Sequence, residues 1–291
     1  MSPGVVGPPT SRRRWREAPW LTLQLVLSAS LLLLFLLPIY ALFAYAPGKI
    51  LDYATDPAVD AALWLTFYAS AFTILIAVVF AIPLGYLLAR RKFPGRSVVE
   101  SVVALPVVVP HLLVGLGLFL LLLPGSPAYR FTTWLGFPVY DTIWGVVLVM
   151  AFVSAPYTVL AADLSFRAID DRMLEAARSL GAGPATTFLT VSFPLAFRGI
   201  LAGLLLTWAR AVSEIGGILI IAYEVLPGGP YNGPVTTTLS VLVYNLFQAG
   251  NLQGAAAVSS VFLLIAFAIF LAVRLAERTG WLPWRRGDLG P

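Results

Sequence analysis

Cysteine is absent from the 291 residues, and histidine occurs once, at His111. Without cysteine there is no disulfide, no thiolate metal site and no thiol nucleophile. A single histidine cannot build a multi-histidine metal site, so helix packing or the lining of a pathway is the expected role of His111. Charge is scarce as well. Charged residues make up 11% of the chain, against about 25% in an ordinary soluble domain. No Gly-x-x-x-x-Gly-Lys-Ser/Thr occurs, which excludes ATP binding through a P-loop. There is no His-Glu-x-x-His and no evident Ser–His arrangement around His111, so an intramembrane enzyme, the competing reading from another class, lacks its raw material. Period-two alternation is missing too, which argues against a transmembrane β-barrel.

What remains is apolar. Hydrophobic residues reach 59% and the mean hydropathy is +0.87. The charges are clustered, and between them lie apolar runs of about 20 residues, the length that crosses hydrocarbon. The expected fold is all-α: a polytopic membrane protein with six transmembrane helices. The spans are placed at Leu21 to Tyr45, Ala62 to Ala89, Val98 to Leu123, Thr142 to Leu164, Arg198 to Tyr223 and Ala255 to Leu275. Asp56-Pro57 reads as an N-cap with proline at the first helical position, opening a short external helix. Ser97 and Glu100 have capping-box spacing at the start of span three. Pro38, Pro83, Pro106, Pro110 and Pro156 fall within spans, which neighbouring helices tolerate in a packed bundle.

Basic residues orient the chain. Sixteen of the nineteen lie in one set of segments: 12–16, 90–96, 167–198 and 274–286. The opposite loops hold only Lys49 and Arg130, and Arg210 lies inside span five. The positive-inside rule then makes both termini and the loop around Glu175 cytoplasmic. Residues 1–20 form the N-terminal tail, 21–275 the six-helix domain and 276–291 the C-terminal tail. The net charge of +5 belongs to these membrane flanks and not to nucleic-acid binding. Residues 1–11, rich in Pro, Gly and Ser, are expected to be disordered. Trp281 and Trp284 beside Arg285 and Arg286 read as an interfacial anchor. The arginines before span one suggest a secretory or twin-arginine signal, but the apolar run is too long for a signal core and no clear small-x-small cleavage site follows. Span one is therefore expected to be retained.

The loop from Arg167 to Phe197 carries a distinctive pattern. Glu175-Ala176-Ala177 is followed by three residues, Gly181, nine residues and Val191-Ser192-Phe193-Pro194. Asp170 or Asp171 can cap a short helix with its charge at the positive end of the dipole. Met173, Ala177 and Leu180 recur at i, i+4 and i+7, giving one apolar face. Gly181 is placed to end that helix in a left-handed conformation, and Gly183-Pro184 starts another. The product is a helix-turn-helix knob whose apolar face fits a cleft on a partner. From amphipathicity alone, a loop lying on the membrane surface explains the pattern as well.

Arg210 and Glu214 fall near the middle of span five. A charge there costs roughly 2.5–3.5 kcal/mol on insertion scales and must face the bundle interior or water. Their i, i+4 spacing puts both on one helix face, with Thr207 and Ser213 nearby. The pair, with Ser213, reads either as the wall or gate of a polar pathway or as a structural ion pair. Gly199 and Gly203 permit close helix approach. The polar, turn-rich stretch Tyr231-Asn232-Gly233-Pro234 with Thr236 to Thr238 is a candidate surface for a substrate-delivery protein.

The motif around Glu175 resembles the EAA loop by which permease subunits of ABC importers grip their ATPase. Val107-Val108-Val109-Pro110-His111 with Val114-Gly115, and Trp208-Ala209-Arg210-Ala211-Val212-Ser213-Glu214-Ile215-Gly216 leading to Ile220-Ile221-Ala222-Tyr223, sharpen the resemblance to molybdate/tungstate permeases over residues 60–275. Sulfate permeases are similar, with a second proline where His111 stands. The family usually has Phe at the position of Ile215, and the loop 224–234 is unlike its usual forms. The resemblance implies a type I importer of a tetrahedral oxyanion in the cytoplasmic membrane, with sulfate or another small solute as the alternative cargo. It implies two copies of this permease, two ATPase subunits that bind ATP and Mg, and one external binding protein. Glu175, Ala176, Ala177, Leu180, Gly181 and Pro194 would couple to the ATPase. No cofactor, metal or catalytic residue is expected in this chain.

Overall fold

The computed structural model describes residues 11–46 and 48–279. A long helix α1 (Ser11–Tyr45) is followed by a short α2 (Ile50–Ala54). Helix α3 (Pro57–Ile76) passes through a π-helical turn, Ala77–Ala81, into α4 (Ile82–Arg90). Helices α5 (Arg96–Val108) and α6 (His111–Leu121) form a bent pair, and α7 (Pro127–Trp134) is short. The central helix is α8 (Ile143–Arg167). After α9 (Asp171–Ser179), α10 (Pro184–Thr187) runs through a second π turn, Phe188–Ser192, into α11 (Phe193–Val212). A four-residue α12 (Ile218–Ile221), α13 (Leu239–Gln248) and α14 (Leu252–Thr279) complete the described chain. Among the described residues, extended structure amounts to two isolated β-bridges.

Among the described residues, five helical stretches are long and apolar enough to cross a membrane: Pro19–Tyr45, Pro57–Arg90, Ile143–Arg167, Pro184–Val212 and Leu252–Ala276. Counted as one broken span, the bent pair α5–α6 makes a sixth. Apolar contact alone does not hold helices together in lipid, so close approach and interhelical hydrogen bonds must. Both meet on α8. A β-carbon at Gly203 would collide with Ala161, and one at Gly199 with Ser165. Beside them Thr158 and Thr207 share a hydrogen bond of 2.7 Å, and Thr207 donates to the Ser154 carbonyl at 3.0 Å. Thr207 thus belongs to the α8–α11 seam and not beside Arg210, as its sequence position suggested. Among the described residues, helix α1 packs on the bundle near its C-terminal end through Leu42, and the apolar stretch before it is exposed.

Several sequence expectations need correction. Span three is not one helix: α5 and α6 meet at 115°. Val109 and Pro110 are extended, with ψ of 131° and 134°; Val109 is so because a residue before proline is pushed out of the α region. Span five ends at Val212, and the chain unwinds before α12. Gly216-Gly217 favours this, since glycine is among the poorest helix formers. The capping box at Ser97 does not form. Gly95 precedes α5 with φ of 84°, and Glu100 instead bonds Arg96 and Arg167 at 3.0 and 2.8 Å. Asp56 does act as an N-cap, accepting from Ala58 N at 2.8 Å, but it opens the second span itself. Helix α13 was missed because ten residues are too few to read as a span. Helix α1 begins at Ser11, inside the expected tail. The expectations for residues 1–10 and for Trp281, Trp284, Arg285 and Arg286 lie outside the described residues.

The π turns explain two of the internal prolines. Ile82 N bonds the Ala77 carbonyl and Phe193 N bonds the Phe188 carbonyl, five residues back. Pro83 and Pro194 follow at once. Proline cannot donate to the carbonyl four residues before it and clashes with it; the wider turn moves that carbonyl aside.

Candidate functional site

The loop with the Glu175 pattern folds as its residues dictate. Asp170 caps α9, its carboxylate accepting from Arg172 N at 3.0 Å. Gly181 has φ of +88°. Its N–H donates to the Arg178 carbonyl at 2.9 Å, and Ala182 N donates to Ala177 O at 3.1 Å. These two bonds are the Schellman pattern, which needs a left-handed residue at Gly181. Gly183 and Pro184 then start α10 as expected.

The apolar face divides differently from the simple i, i+4, i+7 reading. Leu174 points inward to Phe166, Ile169 and Ile200. Met173 and Leu180 point out, and Leu180 is 89% exposed. Glu175, Ala176 and Gly181 are exposed, Ala177 and Pro194 half-buried. An aromatic cluster of Tyr86, Phe166 and Phe188, with ring centroids 4.8–6.0 Å apart, supports the base of the knob. Sequence reasoning missed Arg90. From the end of α4, its Nη1 pairs with Asp171 at 2.6 Å, and its Nη2 donates to the carbonyls of Phe166 and, at 2.9 Å, Ile169. Nothing local to Arg90 announces this, for its partners are 76 to 81 residues away.

The second cluster lies where the two broken spans touch. Arg210 is in the last turn of α11, and Glu214 lies just beyond its end, fully buried. Their i, i+4 pairing holds: Arg210 Nη2 is 2.6 Å from Glu214 Oε2. The other carboxylate oxygen accepts from Gly217 N at 2.9 Å, so Glu214 caps the start of the next helical turn. His111, first residue of α6, joins the pair. Its Nδ1 is 3.6 Å from Glu214, and both ring nitrogens lie within 2.9 Å of Arg210 Nη2. Ser213 is exposed and accepts from Arg210 Nη1 at 3.2 Å. Gly216 and Gly217 let the loop lie directly on α6. A β-carbon on Gly216 would sit 2.8 Å from His111 Cβ, and one on Gly115 would sit 2.8 Å from Gly217 Cα.

Arg210 and Glu214 cancel in charge. The guanidinium carries five donors, and an anion reaching the exposed Ser213 side would compete with Glu214 for them. Irregular backbone at membrane depth is tolerated where protein buries it or where it lines an aqueous cavity. His111 is 41% exposed and Arg210 16%, so the cluster is buried on one side and open on the other. The loop at 231–238 is less free than its polarity suggested. Tyr231 is buried with its hydroxyl on Pro234 O at 2.7 Å, and Thr238 is buried. Among the described residues no three His, Asp or Glu side chains are grouped to hold a metal.

Known proteins are similar to this chain. The family described as binding-protein-dependent transport system inner membrane component matches residues 81–280. A molybdate/tungstate transport system permease protein of Thermococcus kodakarensis is 36% identical over 231 residues, 79% of this chain and 81% of its own. A probable sulfate transport system permease protein of Helicosporidium sp. subsp. Simulium jonesii is 32% identical over 255 residues, 86% of this chain and 92% of its own. Among solved structures, a chain of a bacterial alginate ABC transporter in complex with its alginate-bound periplasmic protein superposes with a TM-score of 0.69. It is 17% identical, and the match covers 92% of this chain and 96% of that one.

Proposed function

The chain belongs to the family of binding-protein-dependent transport system inner membrane components, and from that premise we propose that it is the permease subunit of an ABC importer for molybdate or tungstate. The observation that carries this reading is α9: a capped helix closed by Gly181, with Leu180 bare at its tip. The 36% identity to the Thermococcus permease supports the choice of cargo.

In this reading the permease is no enzyme by itself. Two copies assemble with two ATPase subunits, which bind ATP and Mg, and with one external binding protein. Both termini and α9 face the cytoplasm, in keeping with the sixteen basic residues on that side. Met173, Leu180 and the rim of Glu175, Ala176 and Ala177 enter a cleft on the ATPase, and Gly181 and Pro194 set the shape of the loop. Closure of the ATPase pair moves α9 and, through Leu174, the bundle. At the other end of α11, Arg210, Ser213, Glu214 and His111 form the gate or wall of the anion path. There the guanidinium offers an oxyanion the donors that Glu214 otherwise holds.

The Helicosporidium relative favours a second cargo, sulfate. Proteoliposomes holding the complex, loaded with ATP and given its binding protein, separate the two. Uptake of molybdate that a hundredfold excess of sulfate leaves intact is the expected result. Uptake of sulfate alone would transfer the function to the second reading, and uptake of neither would end both.

A further inference from the structure

We propose that Arg90 is a positioning residue that fixes the pose of α9 and carries its motion into the second span; the coupling half of this statement rests on the function proposed above. Three elements converge on one guanidinium. Arg90 comes from the last turn of α4. Its Nη2 occupies the C-terminal end of α8 by bonding the carbonyls of Phe166 and Ile169. These groups lie at the negative end of the helix dipole, where a cation is favoured. Its Nη1 holds Asp171, the first residue of α9. The side chain is only 14% exposed whereas Asp171 is 79% exposed. The anchor is thus buried in the bundle and the group it holds belongs to the surface.

The chain between α8 and α9 is three residues long and lacks a regular fold of its own. Among the described residues, the burial of Leu174 and the grip of Arg90 tie the N-terminal half of α9 to the bundle. Leu174 is an apolar contact and resists displacement without fixing direction. The guanidinium is planar and binds in a fork of fixed geometry, so it fixes the angle. Because Arg90 ends α4, a push on α9 becomes an axial push on the stretch Pro57–Arg90. A lysine there has one rotatable ammonium and cannot reproduce the planar fork.

The cysteine-free chain makes the pose measurable. Spin labels at Ser179→Cys and Leu87→Cys, in the full chain in lipid nanodiscs diluted with unlabelled chain, report the distance between α9 and α4. Arg90→Ala is expected to broaden and shift that distribution, with Arg90→Lys intermediate; an unchanged distribution overturns the positioning role. In the assembled complex with its ATPase and binding protein, Arg90→Ala is expected to retain ATP hydrolysis but to import about tenfold less oxyanion per ATP, within the usual range for coupling between sites. An unchanged ratio with a broadened distance overturns the coupling role. A wild-type complex that imports none of molybdate, tungstate or sulfate is a failure of the proposed function, and the distance measurement still decides the pose.

Discussion

Replacing Glu214 by alanine should loosen the joint between the two broken spans. The carboxylate is fully buried and serves two partners, Arg210 Nη2 at 2.6 Å and Gly217 N at 2.9 Å. Removing one member of a buried ion pair costs about 3–5 kcal/mol. Arg210 keeps His111 and Ser213 and is 16% exposed, so the lower end, about 3 kcal/mol, applies. The orphaned Gly217 N–H adds about 1 kcal/mol. The total of about 4 kcal/mol corresponds to nearly a thousandfold more local opening. Hydrogen exchange of the amides at 111–115 and 217–222 in nanodiscs reads this opening directly. The double variant Arg210→Met, Glu214→Leu strands no charge and leaves only the Gly217 amide, so its exchange should rise about fivefold. Exchange in Glu214→Ala no faster than wild type, or a double variant looser than the single one, would refute the reasoning. The double variant also addresses the pathway: it should fold yet import poorly, and import at the wild-type rate would remove Arg210 from the anion path.

Three further outcomes follow from the geometry. Gly181→Val should cost about 1 kcal/mol or more, because a β-branched residue is strained at φ of +88°; together with Leu180→Asp it should abolish co-purification of the ATPase while the bundle still inserts, and undiminished co-purification would contradict the docking role. A cysteine at Ser179 should react with an impermeant reagent only from the cytoplasmic side, and labelling from outside intact cells would invert the topology. Gly203→Leu should separate α8 from α11, since even a β-carbon collides with Ala161; a loss of about 1–3 kcal/mol by overpacking would appear as faster exchange along Ser154–Ser165, and no change would mean the seam is not close-packed.

What the chain disclosed before its structure was known divides by range. Span positions were legible because apolar runs and charged flanks are properties of neighbouring residues. The capped helix α9 and its end at Gly181 were legible for the same reason: Asp170, Gly181 and Pro184 act within a few residues of themselves. The break at Val109-Pro110 was only half legible. Proline signalled a disturbance, but a kink within a continuous helix and a bend of 115° have the same local sequence. The Arg210–Glu214 pair was legible from i, i+4 spacing, although the helix around it stops at Val212. That stop depends on Gly216 and Gly217 settling onto α6, a contact roughly a hundred residues distant. The grip of Arg90 on α8 and α9 and the place of His111 beside Arg210 are of the same long-range kind.

The two π turns make the facing of the helices a matter of counting. Each residue advances an α-helix by about 100°, and an i→i+5 turn accommodates one residue more than an α turn does. Deleting a single residue from Phe188–Ser192 would therefore convert it to an ordinary α turn and leave the facing of α10 about the axis of α11 nearly unchanged. It would also return Pro194 to a regular helix in which its ring meets the carbonyl four residues earlier. The same holds for Ala77–Ala81 and the azimuth of Arg90. In this protein a one-residue deletion within either turn is felt at the proline that follows it, whereas the same deletion in the regular part of either span rotates everything beyond it by about 100°.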